Sequence, residues 1–291
     1  HIRSWRKRIM YKIMDGKLIK KQILEELKNK VSEMEEKPSL VVIQIGDNDA
    51  SNVYIKQKAK MADYIGYGYR HIKLDENVSE EEVLKIIDEL NQDKKVNGVM
   101  VQMPLPRHIS TDKVQNAVIP SKDVDGLSDY NAGLLFHNKE ALYSCTPYGV
   151  MELFKRYNIS LEGRHAVVVG RSNLVGKPMA MMLLNAGATV TVCHSKTVDL
   201  KKYTKKADIL ISCVGKANFI TKEMVKKGSI VIDVGITRGA NGLCGDVDFD
   251  EVAPSTKYIT PVPGGVGPMT VAMLGMNVME AYMKQKEEEN V

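Results

Sequence analysis

Two kinds of hydrophobic pattern alternate over the first third of the chain. From Lys17 to Glu36 the apolar positions Leu18, Ile19, Ile23, Leu27, Val31 and Met34 recur mainly at intervals of three and four, which predicts an amphipathic helix. "SLVVIQIG" (39–46) is then a nearly continuous apolar run, the pattern of a strand buried on both faces. A helix containing "SNVYIKQKAK" (51–60) follows and ends near "IGYG". "YRHIKL" (69–74) reads as a strand. "SEEEVLKIIDELN" (79–91) reads as a helix with Ser79 as N-cap and Glu82 completing a capping box. "NGVMVQMPLP" (97–106) is a second buried strand, stopped by two prolines. Strand alternating with helix predicts a parallel sheet covered by helices on both faces.

The same alternation returns further on. "TPYGVMELFKRYN" opens a helix with Thr146 as N-cap and Pro147 at its first position. Residues 163–195 form one strand–loop–helix–strand unit, followed by the apolar runs "ADILISCVG" and "GSIVIDVGI" and by a long helix from about Met269 to Glu287. No internal repeat or low-complexity linker interrupts the pattern. The predicted class is α/β, with a domain seam near residue 146 and a final helix that crosses back.

Composition changes this picture little. The 291 residues suit about two domains, and a 44% hydrophobic, 26% charged chain has enough apolar mass for real cores. The net charge of +5 is concentrated at the start: residues 1–10 carry four Arg/Lys and no acid, which leaves about +1 for the rest. A nearly neutral body lacks the basic footprint of a nucleic-acid binder. The opening residues, 1–9, read as a leader or an added remnant before Met10. Cysteines at 145, 193, 213 and 244 show no C-x-x-C or ligand spacing, so reduced thiols and no metal site are expected. No apolar run approaches the ~18 residues that cross a bilayer. A cytoplasmic enzyme without a membrane partner is the expectation.

Two stretches carry candidate chemistry. "VVVGRSNLVGKP" (167–178) follows a strand and opens a helix, where backbone N–H groups and the helix N-terminus face an anion such as a pyrophosphate. Gly170 permits a tight turn and Gly176 close packing. The spacing is G-x-x-x-x-x-G, not G-x-G-x-x-G, and a bare glycine turn is the alternative. The next strand ends "TVCHSKT" with no acid to hold ribose hydroxyls. Ser195 and Lys196 stand there instead, with Arg171 in the loop. That set avoids repelling a 2′-phosphate and can pair with one, which predicts NADP over NAD. In "SNVYIKQKAK", Tyr54 and Lys58 are four apart, so a helix would place them on one face, either as chemistry or as a wet surface.

Several stretches in order are more specific than either alone: "YIKQK" (54–58), "VQMPLP" (101–106), "KDVDG" (122–126), "NAG" (131–133), "CTPYG" (145–149), "GRSNLVGKP" (170–178), "CHSKT" (193–197) and "TPVPGGVGPMT" (260–270). From about Met10 onward the chain resembles the bifunctional 5,10-methylenetetrahydrofolate dehydrogenase/5,10-methenyltetrahydrofolate cyclohydrolases of one-carbon metabolism. The resemblance implies two α/β domains with a cleft between them, the second a Rossmann-like parallel sheet. Residues 10–146, rejoined by the C-terminal helix 270–291, would be the folate-binding catalytic domain, and 147–269 the NADP-binding domain. It also implies a homodimer. By resemblance Lys58 is the key catalytic residue, Tyr54 orients the folate, Gln102 supports the lysine, Asp125 binds the pterin, and Ser51 neighbours this group. Pro263, Gly264 and Gly265 would line the folate pocket. Gly170, Arg171, Ser172, Ser195 and Ile236 match the NADP-contacting positions.

The chemistry fits these residue types. Hydride loss from a methylene carbon leaves a methenyl cation, which a neighbouring ammonium would oppose and a neutral lysine would not. Gln102, uncharged, can bond a lysine without fixing it in the charged form. Addition of water to the cation needs a proton acceptor, and Lys58 is again the candidate. A carboxylate at Asp125 offers paired acceptors to the pterin's paired donors. "DVDG" is equally ordinary turn chemistry, and "PVPGGVGP" ordinary loop punctuation. Two rival readings remain at this stage: a monofunctional methylenetetrahydrofolate dehydrogenase, and a non-catalytic Rossmann protein that senses NADP.

Overall fold

A computed structural model of the chain describes residues 11–239 and 242–290; the expected leader, 1–9, lies outside the described residues. The elements in order are β1 (Lys12–Ile13), α1 (Gly16–Ser32), β2 (Ser39–Ile45), α2 (Asp49–Ile65), β3 (Gly68–Leu74), α3 (Glu80–Gln92), β4 (Gly98–Val101), α4 (Thr111–Ala117), α5 (Asp129–Phe136), α6 (Cys145–Arg156), β5 (His165–Val169), α7 (Gly176–Asn185), β6 (Thr189–Cys193), α8 (Leu200–Thr204), β7 (Ile209–Ser212), β8 (Ile230–Asp233), β9 (Thr237–Gly239), β10 (Gly242–Cys244), α9 (Phe249–Val252), β11 (Tyr258–Ile259) and α10 (Val266–Glu289). They group into two compact units. One holds Leu18–Gly149 and the stretch from Met269 onward; the other holds the described residues up to Lys17 and Val150–Pro268.

The first unit is built on a three-stranded parallel sheet, order β3-β2-β4. Along β2 the side chains alternate between faces. Val41, Ile43 and Ile45 pack with Val99 and Val101 of β4, with Val83, Ile87 and Leu90 of α3, and with Val114 of α4. Leu40, Val42 and Gln44, on the opposite face, are equally buried. The continuous apolar run of β2 thus reflects cover on both sides. Ser79 caps α3 as its spacing predicts, its Oγ accepting from Glu82 N at 3.1 Å. A buried ammonium ends the same helix: Lys122 Nζ donates to the carbonyls of Leu90, Asn91 and Asp93 at 2.8–3.0 Å. The cation satisfies acceptors that a helix C-terminus leaves open.

The second unit is a six-stranded sheet, order β1-β11-β8-β7-β5-β6, with every pairing parallel. After β1, at the far edge, the chain enters the sheet at β5, steps out to β6, then reverses through β7 and β8. This is a doubly wound arrangement with its topological switch between β5 and β7, where such sheets bind ligands beyond the carboxyl ends of the strands. A β9–β10 hairpin lies outside the main sheet.

Three boundaries differ from the pattern. The first helix ends at Ser32 rather than Glu36, because Lys37 Nζ folds back onto the carbonyls of Val31 and Met34 at 2.6 and 2.7 Å. Thr146 is not an N-cap. The helix begins at Cys145, with Tyr148 N donating to Ser144 O, and the Thr146 hydroxyl meets Thr270 Oγ1 at 3.2 Å. Residues 11–17 group with the second unit although they precede the first in sequence, because Lys12 and Ile13 pair with Tyr258 and Ile259.

Candidate active site

The position of Lys58 in "YIKQK" is set by α2. Asn48 starts the helix, its side chain accepting from Ser51 N at 3.1 Å, and Gly66 ends it at φ +92°. The inward residues are Ser51, Ile55, Lys58, Met61, Ala62 and Ile65. Lys58 therefore occupies a place in the apolar stripe and is only 7% exposed. Tyr54, one turn earlier, lies at the edge of that stripe and is half-exposed. The shared face expected of the pair is real only in part: the lysine is inside and the tyrosine meets solvent.

Gln102 follows the last residue of β4 and meets the lysine there. Lys58 Nζ donates to Gln102 Oε1 at 2.5 Å. The amide is held in that orientation from its other end, since Gln102 Nε2 donates to Met103 O at 2.9 Å. Ser51 Oγ donates to the same carbonyl at 3.2 Å, which ties the start of α2 to the end of β4. The cation's hydrogen-bond partner is thus a neutral acceptor with its own position fixed. Burial pushes the Lys58 ammonium below the ordinary lysine range, and the negative charge of Asp125 opposes this without reversing it.

Asp125 comes from "KDVDG", where turn chemistry and ligand chemistry could not be separated by pattern. In the structure the turn bonds fall to Asp123. Asp123 is buried and accepts from the backbone N–H groups of Gly126, Leu127 and Ser128 at 2.9–3.3 Å, and from Asn131 Nδ2 at 2.9 Å. Asp123 is the turn residue. The carboxylate of Asp125 takes no part in those bonds and lies in the field of Lys58. Burial raises its pKa to about 6, with Lys58 pulling down and Asp123 pushing up. The loop is anchored by Gly126, at φ +68°, where a Cβ would stand 2.2 Å from the carbonyl carbon of Tyr143 and 2.4 Å from Ser144 N. Residue patterns missed Asp123 and the thiol of Cys145, which is buried in the field of Asp125 and Lys58 and pushed well above the ordinary thiol range. Asn131, inside the quoted "NAG", was legible only as part of a motif.

The other expected residues lie in the second unit. Gly170 follows β5 at φ +131°, and a Cβ there would stand 2.5 Å from Cys213 Sγ and 2.7 Å from Cys213 O. A Cβ on Gly176 would stand 2.3 Å from Gly170 O. Both glycines are thus demanded by the turn at the switch point itself. Ser172 Oγ accepts from Val175 N at 3.1 Å and Gly176 N at 3.4 Å, which shapes the entry to α7. Arg171, Ser195 and Lys196 are exposed, as is Ile236. Gly264 adopts φ +103° and accepts at its carbonyl from Gly16 N at 2.9 Å, while a Cβ on Gly265 would stand 2.5 Å from Pro261 O. Pro263 beside them is exposed. Among the described residues no group of three or more His, Cys, Asp or Glu is placed to hold a metal ion. No helix among them is long and apolar enough to cross a membrane.

A doubly wound sheet with a glycine turn at its switch point, in a chain whose other unit holds a buried lysine, defines a nucleotide-binding α/β enzyme. The chain belongs to the tetrahydrofolate dehydrogenase/cyclohydrolase family: the family's catalytic domain matches residues 14–125 and its NAD(P)-binding domain residues 144–286. It is 52% identical over 279 residues to the bifunctional protein FolD of Agathobacter rectalis, covering 94% of this chain and 100% of that one. Among solved structures it is similar to the FolD methylenetetrahydrofolate dehydrogenase/cyclohydrolase of Campylobacter jejuni, at TM-score 0.93 and 48% identity over 94% of this chain and 99% of that one. The dehydrogenase-cyclohydrolase of Trypanosoma brucei, complexed with NADP cofactor and inhibitor, matches at TM-score 0.88 and 34% identity over 94% and 98%.

The anchoring of the Asp125 loop yields a stability test. Gly126→Ala is expected to lose on the order of 3 kcal/mol or more, from a left-handed backbone and a backbone overlap. Gly133→Ala, in α5 with nothing within 4 Å of the added carbon, is expected to be neutral or to stabilise by about 0.5–1 kcal/mol. Urea unfolding of the two variants measures the contrast; equal stability of both would show that the loop is not anchored there.

Proposed function

We propose that this chain carries both activities of its family, NADP-dependent oxidation of 5,10-methylenetetrahydrofolate and hydrolysis of the methenyl product to 10-formyltetrahydrofolate, with Lys58 serving both. The observation that carries the reading is a lysine buried in an apolar helix stripe, paired to a neutral amide oxygen at 2.5 Å. NADP⁺, held at the Gly170–Gly176 turn with Arg171 and Ser195, would supply the acceptor for the hydride leaving the methylene carbon. The protein's part in that step is to keep positive charge away from a carbon becoming cationic. A lysine whose pKa is lowered by burial does so once it has lost its proton. In the hydrolytic step Lys58 takes the proton of the water that adds to the cation. The N5–carbon bond then breaks as N5 takes the proton held by Lys58, the added hydroxyl releases its remaining proton to solvent and becomes the formyl oxygen, and the formyl group remains on N10.

Asp125 supports this reading as the pterin's partner, because Asp123 alone meets the needs of the turn. Tyr54, half-exposed one turn before Lys58, is free to stack on the folate, and Ser51 and Gln102 hold the ground between α2 and β4. The glycine cradle at the switch point fits a dinucleotide, since a side chain at Gly170 or Gly176 would fill it. Exposed Arg171, Ser195 and Lys196 suit a 2′-phosphate, and Ser172 and Ile236 complete the set. Pro263, Gly264 and Gly265 are assigned to the folate. We assign 10–146 and 270–291 to folate and 147–269 to NADP, except that residues 11–17 pack on the sheet of the NADP-binding unit. The chain is taken to act as a cytoplasmic homodimer.

The test mixes the protein with 5,10-methylenetetrahydrofolate and NADP⁺ and follows NADPH and the methenyl chromophore together. NADPH should form while methenyl stays low and 10-formyl product builds. Lys58→Met should lose at least about 100-fold in methenyl hydrolysis, the usual scale of a lost general base. Methenyl accumulating in step with NADPH in the wild type favours the monofunctional reading, and cofactor binding without turnover favours the sensor. The pH profile gives a second test. Asp125, with a pKa of about 6, loses its charge as pH falls through that value. Folate KM should therefore rise below pH ~6, and Asp125→Asn should abolish that limb, with KM raised above pH ~6 and near the wild-type value well below it. A limb that survives in Asp125→Asn contradicts the assignment.

A further inference from the structure

Asn277 is a polar side chain where the pattern of α10 calls for an apolar one. It sits between Met276 and Val278 and is 2% exposed. A buried amide is informative because it must be hydrogen-bonded to be tolerated. Its Nδ2 donates to Val124 O at 2.9 Å and to Tyr143 O at 2.8 Å, and lies 3.7 Å from Cys145 Sγ. Val124 O belongs to the peptide that leads directly into Asp125. Tyr143 belongs to the backbone on which Gly126 is pressed.

Asp125 is therefore flanked on both sides. Asp123 gathers the N–H groups that follow it, at 126–128, and Asn277 takes the carbonyl that precedes it. From these contacts we propose that Asn277 is a positioning residue: it sets the peptide plane before Asp125 and so aims that carboxylate at the folate. One amide nitrogen spans two carbonyls with its two hydrogens, which neither an acid nor an apolar residue of similar size reproduces. This rests on the reading of Asp125 as the pterin's partner.

The test compares Asn277→Ala, Asn277→Ser and Val278→Ala, all on the full chain. Val278 is buried beside Asn277 and offers no hydrogen bond to the loop, so it controls for a loosened helix. Asn277→Ala is expected to raise folate KM about tenfold, the scale of one lost positioning contact, with NADP KM unchanged. Asn277→Ser keeps one donor and should fall between; it carries the test if the alanine variant does not fold. Val278→Ala should leave folate KM near the wild-type value. In an Asp125→Asn background, Asn277→Ala should add little, because it acts through the missing group. Four results overturn the proposal: unchanged folate KM in Asn277→Ala, an equal rise in NADP KM, an equal rise in Val278→Ala, or a full additive loss in the Asp125→Asn background. A wild-type chain that does not oxidise 5,10-methylenetetrahydrofolate overturns instead the functional reading beneath it.

Discussion

The site depends on taking one ammonium out of water with no carboxylate hydrogen-bonded to it. Desolvation penalises the charged form of a lysine, and a tight ion pair would cancel that penalty. Here the close partner of Lys58 is the oxygen of Gln102, and Asp125 acts on the lysine only through its field. The balance leaves burial dominant. The neighbouring bonds serve that balance: Gln102 is held from its far end, Ser51 fastens α2 to the same carbonyl, and Asn48 and Gly66 set where the helix begins and ends. A glutamate in place of Gln102 would fit the space and restore the charge, so the neutrality of the acceptor matters as much as its position.

The second constraint is a division of labour in a five-residue loop. A carboxylate presented to a ligand must not be consumed by its own turn, yet a turn of this kind needs an acceptor for its N–H groups. In "KDVDG" Asp123 supplies that acceptor, and Asp125 stays outside the turn's bonds, as its proposed folate role requires. Lys122 adds a third role by sealing the end of α3 with its ammonium. Of three charged groups in four residues, one holds a helix and one holds the loop, and the third, Asp125, takes no part in either set of bonds and is the one proposed to meet the folate.

Much of this was legible in the residues, for identifiable reasons. Local periodicity located β2, α2, α3 and the β5–α7 unit, because burial on both faces leaves continuous apolar runs and one-sided burial leaves stripes. The burial of Lys58 was also readable, since Ile55, Met61, Ala62 and Ile65 bracket it at helical spacing. The spacing to Tyr54 alone could not show it. What the pattern missed is mostly non-local. The pairing of Lys12 and Ile13 with Tyr258 and Ile259 joins segments far apart in sequence, and two-residue strands carry no period. Lys37 shortens the first helix through side-chain bonds that propensity does not register. The roles of Asp123 and Asp125 separate only once backbone N–H groups have positions. A lone amide in an apolar helix, Asn277, was a signal available from the start, but its partners were not.

The most direct measurement is a titration of the Lys58 amine by ¹⁵N-detected NMR on lysine-labelled protein, with Lys58→Arg assigning the signal. An ordinary lysine titrates near 10.4. The account predicts that Lys58 titrates clearly below that value, and that Gln102→Glu moves it back up. A Lys58 that titrates at or above the ordinary value in the wild type would mean that the field of Asp125 outweighs burial, and the neutral-lysine account of both reactions would fail.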